Sequence, residues 1–375
     1  MEKVKVGIIG TSWWADKMYL PSLTNHPLVI IKAVAGRNPE KTKEFANRWK
    51  IPNYFINAEK LINEAEIDAL IIATSNDSHC PLTLMAIERG LHVLCEKPMG
   101  ISYSEAIAMQ NAADKMGIIN MVPFTYRFMP TARFIKELVD DGYLGKLYHL
   151  NMRYYGNAAR QPGYLWRFDM RKAGTGVLGD IGSHFIYIAY WLFGEITQVK
   201  AQLDSLSNRP LKDPEGNKYP IAEDTALINL KFKNGAQGII HASMLAHEPT
   251  VGSKSSFHYS QLHQMEFHGS EGTIHSITDW HKTQQVSGTK IGEGPIKKLE
   301  IPDHIWGNAR RGIVQETYND IFHLEGWMTG QFIDAIVKGK KVLPDFHEGA
   351  VIQRILDAAL ISNNENRGIS PFEIN

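Results

Sequence analysis

The stretch 4-VKVGIIGTSWWADKMYL-20 decides the fold of the N-terminal part of this chain. An apolar run leads into Gly10 and a helical pattern follows it, which is the order strand, tight turn, helix. The first turn of such a helix has free backbone N–H groups that can bind the pyrophosphate of a dinucleotide. We therefore predict that residues 10–15, GTSWWA, form a dinucleotide-binding loop. The alternative is a plain strand–turn–helix unit that binds nothing.

Strand-like and helix-like segments alternate through the rest of this region. Apolar, β-branched runs cover 4–9, 30–35, 68–74 and 92–95, and helical patterns cover 14–26, 39–49, 58–65, 80–89 and 102–116. Runs without polar alternation suit parallel strands that are buried on both faces. The alternation predicts an α/β Rossmann domain, a doubly wound parallel sheet, over residues 1–122.

The pattern changes from residue 123. Helical patterns at 130–141, 181–193, 320–338 and 347–362 flank a region in which most segments alternate as antiparallel strands do. Asn234-Gly235 joins two such segments, 227–232 and 237–242, and predicts a hairpin. We predict that residues 123–375 form an α+β domain for substrate binding and oligomerisation, with a large, mostly antiparallel open sheet and helices on one face.

A second glycine-rich stretch, 174-GTGVLG-179, matches the pattern G-x-G-x-x-G letter by letter. A dinucleotide loop follows a buried strand, but the residues before Gly174 are WRFDMRKA, which are charged and do not alternate. We therefore predict that this stretch is not the cofactor loop. Its glycines let the backbone pass close to the active site and deliver Asp180 and His184 to it.

Bulk composition excludes several function classes. The 375 residues contain 40 Lys+Arg and 40 Asp+Glu, and no basic run stands out, so we expect neither nucleic acid nor a membrane as a partner. Cys80 and Cys95 have no zinc-ligand spacing, and His258, His263 and His268 fit no standard ligand motif, so we expect no metal. The N-terminus has no signal-peptide pattern, and the expected location is the cytoplasm.

The end of the second predicted strand bears on the choice of cofactor. It carries Arg37 and Asn38 and no carboxylate that would accept a hydrogen bond from a ribose 2′-hydroxyl. Arg37 can pair with a 2′-phosphate instead, which favours NADP over NAD. The alternative is a solvated loop arginine that tolerates NAD as well.

Two segments carry groups suited to acid–base chemistry. Lys97, in 95-CEKPMG-100, follows a predicted strand and can stabilise charge that develops on a substrate oxygen. Asp180 and His184 are four residues apart at the start of a helix, and a carboxylate beside an imidazole raises its basicity. The alternatives are a surface ion pair between Glu96 and Lys97, an N-cap at Asp180 and a core histidine at His184.

Several segments resemble the glucose-fructose oxidoreductase/inositol dehydrogenase/rhizopine-catabolism (Gfo/Idh/MocA) family over nearly the whole chain. They include GLHVLCEKPMG (90–100), FTYRFMP (124–130), GTGVLGDIGSH (174–184) and FHGSEGT (267–273). The resemblance implies that Lys97, Asp180 and His184 form the catalytic centre. His184 would be the general base in oxidation, Lys97 would bind the reacting oxygen and Asp180 would orient the site.

The resemblance also implies the binding residues. The expected cofactor contacts are Gly10, Thr11, Ser12, Trp13, Trp14, Arg37, Asn38, Thr74, Asn76, His79, Glu96 and Lys97. The expected substrate contacts are Lys97, Arg127, Trp166, Arg167, Asp180 and His184, and Tyr155 is a further candidate as an aromatic platform. Four residues depart from the family pattern, namely Ser12, Tyr19, Ser75 and Tyr187, and the last alters the polar network near the substrate.

These observations predict an oxidoreductase that transfers hydride between NAD(P) and a secondary alcohol or ketone of a sugar, polyol or cyclitol. A homodimer or homotetramer formed through the sheet of the second domain is implied by the resemblance. Two alternatives stay open. One is a cofactor-sensing regulator without turnover, and the other is a dehydrogenase of a non-carbohydrate such as a dihydrodiol.

Overall fold

The computed structural model describes residues 2–246 and 261–374, which form two compact units. Unit 1 runs to Pro123 and also includes Asn319–Gln353. Unit 2 contains Phe124–Tyr318 and the residues from Arg354 onwards. Residues 319–353 thus belong to unit 1, and the two domains predicted over 1–122 and 123–375 stay a prediction.

Unit 1 is built on a six-stranded parallel sheet in the order β3-β2-β1-β4-β5-β6. Its strands are β1 (Val4–Ile9), β2 (Val29–Ala35), β3 (Asn53–Phe55), β4 (Ala69–Ile72), β5 (His92–Cys95) and β6 (Asn120–Met121). The helices between them are α1 (Leu20–Asn25), α2 (Pro39–Arg48), α3 (Ala58–Glu64), α4 (His79–Glu88) and α5 (Tyr103–Met116). A π-helical turn, Ala15–Tyr19, precedes α1. The predicted parallel α/β sheet is confirmed.

Local sequence explains where three of these helices begin. The side chains of Asn38, Asn57 and Ser102 each accept a hydrogen bond from the backbone N–H three residues later. Such N-caps satisfy donors that a first helical turn cannot pair internally. The strands between the helices are apolar because both faces of the sheet are covered, and every residue of β4 is buried.

Unit 2 contains an eight-stranded sheet in the order β14-β13-β12-β11-β7-β10-β9-β8. Its elements are α6 (Pro130–Asp140), β7 (Leu147–Gly156), α7 (Met170–Ala173), α8 (Ser183–Phe193), β8 (Ile196–Asp204), β9 (Thr225–Phe232), β10 (Gln237–Ser243), β11 (Gln261–Gly269), β12 (Gly272–Asp279), β13 (Gln284–Lys290), β14 (Lys297–Leu299) and α9 (Asp303–Trp306). All neighbouring strands are antiparallel except β7 and β10, which are parallel. The predicted α+β class and the hairpin at Asn234-Gly235 are confirmed.

The two faces of this sheet differ in burial. On β7, Leu150, Met152 and Tyr154 are buried on the face that α8 covers, whereas Asn151 and Arg153 alternate with them and point the other way. We call the second face the open face. Leu227, Ile239 and Ile277 are exposed on it.

The last helices are α10 (Val314–His323), α11 (Thr329–Lys338) and α12 (Phe346–Glu365). One helix over 320–338 was predicted, and that prediction is wrong. Gly326 and Met328 adopt φ values of 68° and 63°, a left-handed backbone that cannot continue an α-helix. The break lets α11 pack on α1 and β1 in unit 1.

No helix among the described residues combines the length and apolar character that crossing a bilayer requires. The cytoplasmic location stays a prediction.

Candidate active site

The first loop of unit 1 follows β1, with β2 and β4 on either side. Gly10 has φ 116°, and a Cβ at this position would lie 2.3 Å from the carbonyl oxygen of Ala73. Only glycine therefore fits, because the strain and the collision both exclude a side chain. Among the described residues, no carboxylate accepts a hydrogen bond from the backbone N–H groups of 11–14. This end of the helix is suited to an anion.

The side chains of the loop divide into exposed and anchored groups. Ser12 is exposed, and its Oγ accepts a hydrogen bond from the backbone N–H of Ala15 at 3.3 Å. Trp13 is 69% exposed. The indole N–H of Trp14 donates to Glu96 Oε1, so this tryptophan faces the protein interior. Ser12 and Trp13 are the loop side chains best placed for a ligand.

Glu96 connects this loop to the end of β5. Its Oε1 also accepts a hydrogen bond from the hydroxyl of Tyr19, and its Oε2 accepts from the backbone N–H of Lys97 at 3.1 Å. Burial raises the pKa of this carboxyl group, and the neighbouring charge of Lys97 opposes that effect. The structure thus gives Glu96 a positioning role between the first loop and Lys97. Tyr19, a departure from the family pattern, is part of the same arrangement.

Arg37 and Asn38 follow β2 at the same edge of the sheet. Arg37 is exposed, and within the described part of the chain no hydrogen bond or ion pair holds its guanidinium. Asn38 uses its side-chain oxygen as the N-cap of α2, accepting from Lys41 N–H at 2.9 Å. Arg37 is therefore available to a ligand, whereas the side chain of Asn38 is engaged in shaping the turn.

The turn after β4 contains three predicted cofactor contacts. The side chain of Thr74 is half-buried and accepts a hydrogen bond from the hydroxyl of Ser78 at 2.7 Å, and Asn76 is buried. His79 is fully buried, with its ring nitrogens 2.9 Å from the carbonyl oxygen of Pro98 and 3.3 Å from that of Thr74. Burial lowers the pKa of His79 to about 4, so the ring is neutral at pH 7. It holds the turn against the segment that follows Lys97.

In unit 2 the stretch 174-GTGVLG-179 begins a helix, but its N–H groups are already bound. Glu223 Oε1 accepts hydrogen bonds from the backbone N–H groups of Gly176 at 2.7 Å and Leu178 at 2.9 Å. A Cβ on Gly176 would lie 1.9 Å from the carbonyl oxygen of Glu223. The protein's own carboxylate thus occupies the place that a phosphate would need. Burial raises the pKa of Glu223 to about 7.

This stretch leads into the segment with Asp180 and His184. Asp180 lies in a π-helical turn, Leu178–Gly182, and its Oδ2 is 3.4 Å from Nε of Arg167. Arg167 in turn stacks over the ring of Trp166, with its Cζ 4.6 Å from the ring centroid. The structure therefore brings three predicted substrate contacts together beside the helix that carries His184.

His184 is buried and lies in an aromatic cluster that spacing along the chain does not reveal. The ring of Tyr126 stacks on it at 4.3 Å between centroids, and Phe124 contacts it edge-on at 6.2 Å. Burial, followed by the charges of Tyr318 and Asp180, raises the pKa of Tyr126 well above its usual value. Tyr126 remains protonated at neutral pH and fixes the plane of the His184 ring.

A second histidine supports this cluster from behind. His263 lies 4.8 Å from Tyr126 between ring centroids, and its Nε2 accepts a hydrogen bond from the indole N–H of Trp280 at 3.1 Å. Burial lowers the pKa of His263 to about 3, so it carries no proton to or from a substrate at neutral pH. A cavity of about 30 Å³ adjoins these residues, room for water but not for a sugar.

Arg127 is held by aromatic neighbours. Its Nη1 donates to the hydroxyl of Tyr187, and its Cζ lies 4.8 Å from the ring centroid of Trp191. Tyr187 is fully buried and stacks on Phe124 at 4.5 Å. Tyr187, which departs from the family pattern, thus determines where the Arg127 guanidinium lies.

Tyr155 is not brought to this cluster. It points to the open face of the sheet, where its hydroxyl is 3.2 Å from Nδ1 of His241. The preceding residue in the strand, Tyr154, faces α8 instead, with its ring 6.3 Å from the ring of Phe185 between centroids. Sequence spacing could not assign the strand face without the register, since a shift of one residue exchanges the two faces. His258, which the sequence analysis considered as a ligand, lies outside the described residues.

The predicted cofactor contacts thus gather in unit 1 at the carboxyl ends of β1, β2, β4 and β5. The predicted substrate contacts other than Lys97 lie in unit 2, and all of these except Tyr155 lie on or beside the segments around His184. Tyr126, Glu223 and His263 were missed as supporting residues. Tyr126 lies in FTYRFMP (124–130) and Glu223 begins the segment EDTALINLKFKNGA (223–236), but only tertiary contacts reveal their roles.

Two family models match the chain. One describes an oxidoreductase family with an NAD-binding Rossmann fold and matches residues 4–124. The other describes the C-terminal alpha/beta domain of the same family and matches residues 136–371.

Individual relatives are similar over most of the chain. Levoglucosan dehydrogenase of Pseudarthrobacter phenanthrenivorans is 28% identical and the match covers 96% of each chain. Trans-1,2-dihydrobenzene-1,2-diol dehydrogenase of Mus musculus is 29% identical, over 82% of this chain and 77% of its own. A solved structure of levoglucosan dehydrogenase in complex with NADH and levoglucosan has a TM-score of 0.83 at 25% identity and covers 98% of this chain and 99% of its own.

Proposed function

The chain belongs to the Gfo/Idh/MocA oxidoreductase family, and on that premise we propose that it is an NAD(P)-dependent dehydrogenase acting on a secondary alcohol or ketone of a sugar, polyol or cyclitol. One observation carries this proposal. His184 is buried against the stacked ring of Tyr126, on the helix that directly follows the turn with Asp180. A histidine with a fixed ring plane and a carboxylate nearby is suited to proton transfer.

The residues of unit 1 fit a dinucleotide. Gly10 lets the turn pack against the end of β4, where a Cβ would collide with the carbonyl oxygen of Ala73, and the N–H groups of 11–14 would donate hydrogen bonds to the pyrophosphate. Thr11, Ser12 and Trp13 would hold the pyrophosphate, and Thr74 and Asn76 lie in the turn that follows the neighbouring strand β4. Glu96, His79 and Trp14 act by positioning this arrangement rather than by binding the ligand with their side chains.

When bound, the nicotinamide ring supplies the hydride acceptor for oxidation and the hydride donor for reduction. His184 takes the proton of the substrate hydroxyl during oxidation and returns it during reduction. The Lys97 ammonium binds the reacting oxygen and stabilises the negative charge that develops on it. Asp180 orients the substrate and the imidazole, and its pairing with Arg167 holds that carboxylate in place.

We place NADP ahead of NAD as the preferred cofactor. Arg37 is exposed beside the N-cap of α2, its guanidinium is available, and residues 37–38 contain no carboxylate to repel a 2′-phosphate. The levoglucosan dehydrogenase complex contains NADH, which supports a nicotinamide cofactor without deciding between the two forms for this chain.

The substrate side of the proposal rests on Arg127, Trp166 and Arg167 around the Asp180–His184 segment. Stacked aromatic and cationic groups of this kind suit a polyhydroxylated ring, and the levoglucosan dehydrogenases among the relatives support a sugar substrate. A second candidate is a dihydrodiol. The mouse relative acts on such a diol, and the buried Tyr187 makes this region less acidic than an aspartate would.

We also propose that two or four copies associate through the open face of unit 2. Leu227, Ile239 and Ile277 are exposed there, and exposed apolar side chains on one sheet face favour contact with a second copy. Light scattering of Ile239→Lys and the unmodified protein tests this. We expect the variant to have the lower molar mass. Equal molar masses would mean that the copies do not associate through the open face.

The activity is tested with purified protein, a panel of sugars, cyclitols and dihydrodiols, and both NAD and NADP. Formation of the reduced nicotinamide, followed by its absorbance, should appear with at least one polyol. The same assay on Lys97→Met should show a loss of rate, whereas a control substitution on the open face, His241→Gln, should not. Cofactor binding without turnover on any substrate would instead support a cofactor-sensing regulator.

A further inference from the structure

The open face of unit 2 brings three metal-ligating side chains together. Glu266 and His268 are two residues apart on β11 and therefore point to the same side of the strand. His275 on β12 is paired directly with Glu266 across the antiparallel ladder. The three side chains are half-buried, and one ligand atom from each lies within 4.8 Å of the other two. Within residues 2–246 and 261–374 this is the one such group of three.

The distances are close to those of a bound ion. A tetrahedral zinc ion with ligands at about 2.1 Å separates neighbouring ligand atoms by about 3.4 Å. Side-chain rotations that move each ligand atom by about 1 Å would therefore let all three atoms coordinate one ion. Half-buried side chains on a sheet surface can rotate that far without moving the backbone.

The surroundings orient His268 for this role. Its Nδ1 lies 3.1 Å from the hydroxyl of Thr273, the residue opposite it on β12. With Nδ1–H donating to that hydroxyl, Nε2 presents a lone pair, which is the arrangement of a metal-binding imidazole. The ring of His149, on the other neighbouring strand, stacks on His268 at 4.5 Å between ring centroids.

Glu266 can bind an ion without losing its existing partner. Arg153 contacts Oε1 of Glu266 at 3.1 Å, which leaves Oε2 for coordination. The other histidines of this region differ from the cluster. His241 is bonded to Tyr155 and Thr225, and His263 is buried on the opposite face against Trp280.

We propose that Glu266, His268 and His275 bind a divalent transition-metal ion, with Zn²⁺ as the preferred occupant and water in the fourth position. Two imidazoles and a carboxylate are ligands that suit Zn²⁺ and not Mg²⁺ or Ca²⁺. The ion links β11 to β12 on the face opposite His184 and takes no part in hydride transfer. This proposal departs from the expectation of no metal, which rested on spacing along the chain and could not include pairing between strands.

The test uses tag-free, full-length protein that has been stripped with a chelator and then dialysed against Zn²⁺. We expect one Zn²⁺ per chain with a dissociation constant of about 1 µM or lower, and at least ~10-fold weaker binding in both His268→Gln and His275→Gln. The matched control is His241→Gln, on the same face but outside the cluster, which should bind Zn²⁺ as the unmodified protein does.

Thermal unfolding supplies a second measurement. Zn²⁺ should raise the melting temperature of the unmodified protein and of His241→Gln but not that of His275→Gln, because only an ion bound to the folded state stabilises it. Absence of saturable binding up to about 100 µM Zn²⁺ would overturn the proposal. Binding that both cluster substitutions leave unchanged would overturn it as well.

Discussion

The stretches 10-GTSWWA-15 and 174-GTGVLG-179 have similar glycine patterns but differ in what lies against their backbone N–H groups. In the first, Gly10 approaches the carbonyl of Ala73 behind the loop, and no carboxylate among the described residues binds the N–H groups in front. In the second, the Glu223 side chain accepts hydrogen bonds from Gly176 and Leu178, and residues 175–179 are buried.

The difference shows what a glycine pattern reports. Glycine indicates that something approaches the backbone closely, but the pattern does not say whether that is a ligand or another part of the chain. The preceding strand and the available N–H groups distinguish the two cases. The first stretch meets both conditions, and the second begins a helix whose donors the protein has already satisfied.

The largest expected effect comes from substituting His184, which follows the second stretch and is proposed to transfer a proton rather than to bind the cofactor. His184→Asn should lower kcat by about 10²–10⁴-fold, because the base is lost while the ring position stays filled. Cofactor affinity, measured by titration of NADPH fluorescence, should stay within about twofold of the unmodified protein. A similar loss of cofactor affinity and of kcat would mean that the 174–184 segment binds the dinucleotide after all.

The next effect concerns Glu223, which caps the second stretch. Burial raises the pKa of its carboxyl group to about 7 in the folded protein, above the ordinary 4.5 that the unfolded chain retains. The unfolded state therefore loses this proton first, and ionisation of Glu223 lowers the free energy of unfolding between about pH 4.5 and 7, by about 3 kcal/mol in total.

Glu223→Gln keeps an oxygen that can accept from the same two N–H groups but cannot ionise. The free energy of unfolding, measured in urea from pH 4.5 to 8, should not show this decrease in the variant. The variant should therefore become more stable relative to the unmodified protein as the pH rises. Curves that run parallel through this range would show that Glu223 does not titrate as described.

The periodicity of the sequence predicted both sheets, because buried parallel strands and a half-exposed antiparallel sheet have different apolar patterns. It did not predict the break in the helix over 320–338, since a methionine carries no sequence signal for the positive φ that Met328 adopts. It also missed β3 and β6, which have three and two residues and are too short to show a pattern.

The candidate site was easiest to predict where its residues share one continuous segment. The family resemblance proposes Lys97, Asp180 and His184 from motifs within single segments, whereas spacing alone left an ion pair, an N-cap and a core histidine as alternatives. Tyr126, Glu223 and the Glu266–His268–His275 group required strand register and long-range packing, which spacing along the chain does not contain. Tyr155 and Tyr154 illustrate the same limit, since adjacent residues of a strand face opposite sides.

A smaller effect is expected at Arg37, which follows β2 beside the first stretch and is proposed to bind a 2′-phosphate. Arg37→Asp should reduce the preference for NADPH over NADH by about 30-fold, or 2 kcal/mol, because a charge-assisted contact is lost and a repulsion replaces it. Arg37→Gln is the matched control and should show an intermediate ratio of the two affinities. An unchanged ratio in Arg37→Asp would mean that this arginine does not meet the 2′-phosphate.

The most direct test of the central claim compares cofactor affinity after charge changes at the two stretches. Calorimetric titration with NADPH should show that Ser12→Asp weakens binding by about 10-fold, or 1.4 kcal/mol, because it adds a negative charge beside the pyrophosphate. The neutral Ser12→Asn should lose much less, and Glu223→Gln should bind NADPH as the unmodified protein does. Tighter binding in Glu223→Gln together with unchanged binding in Ser12→Asp would contradict the account and assign the dinucleotide to 174–179.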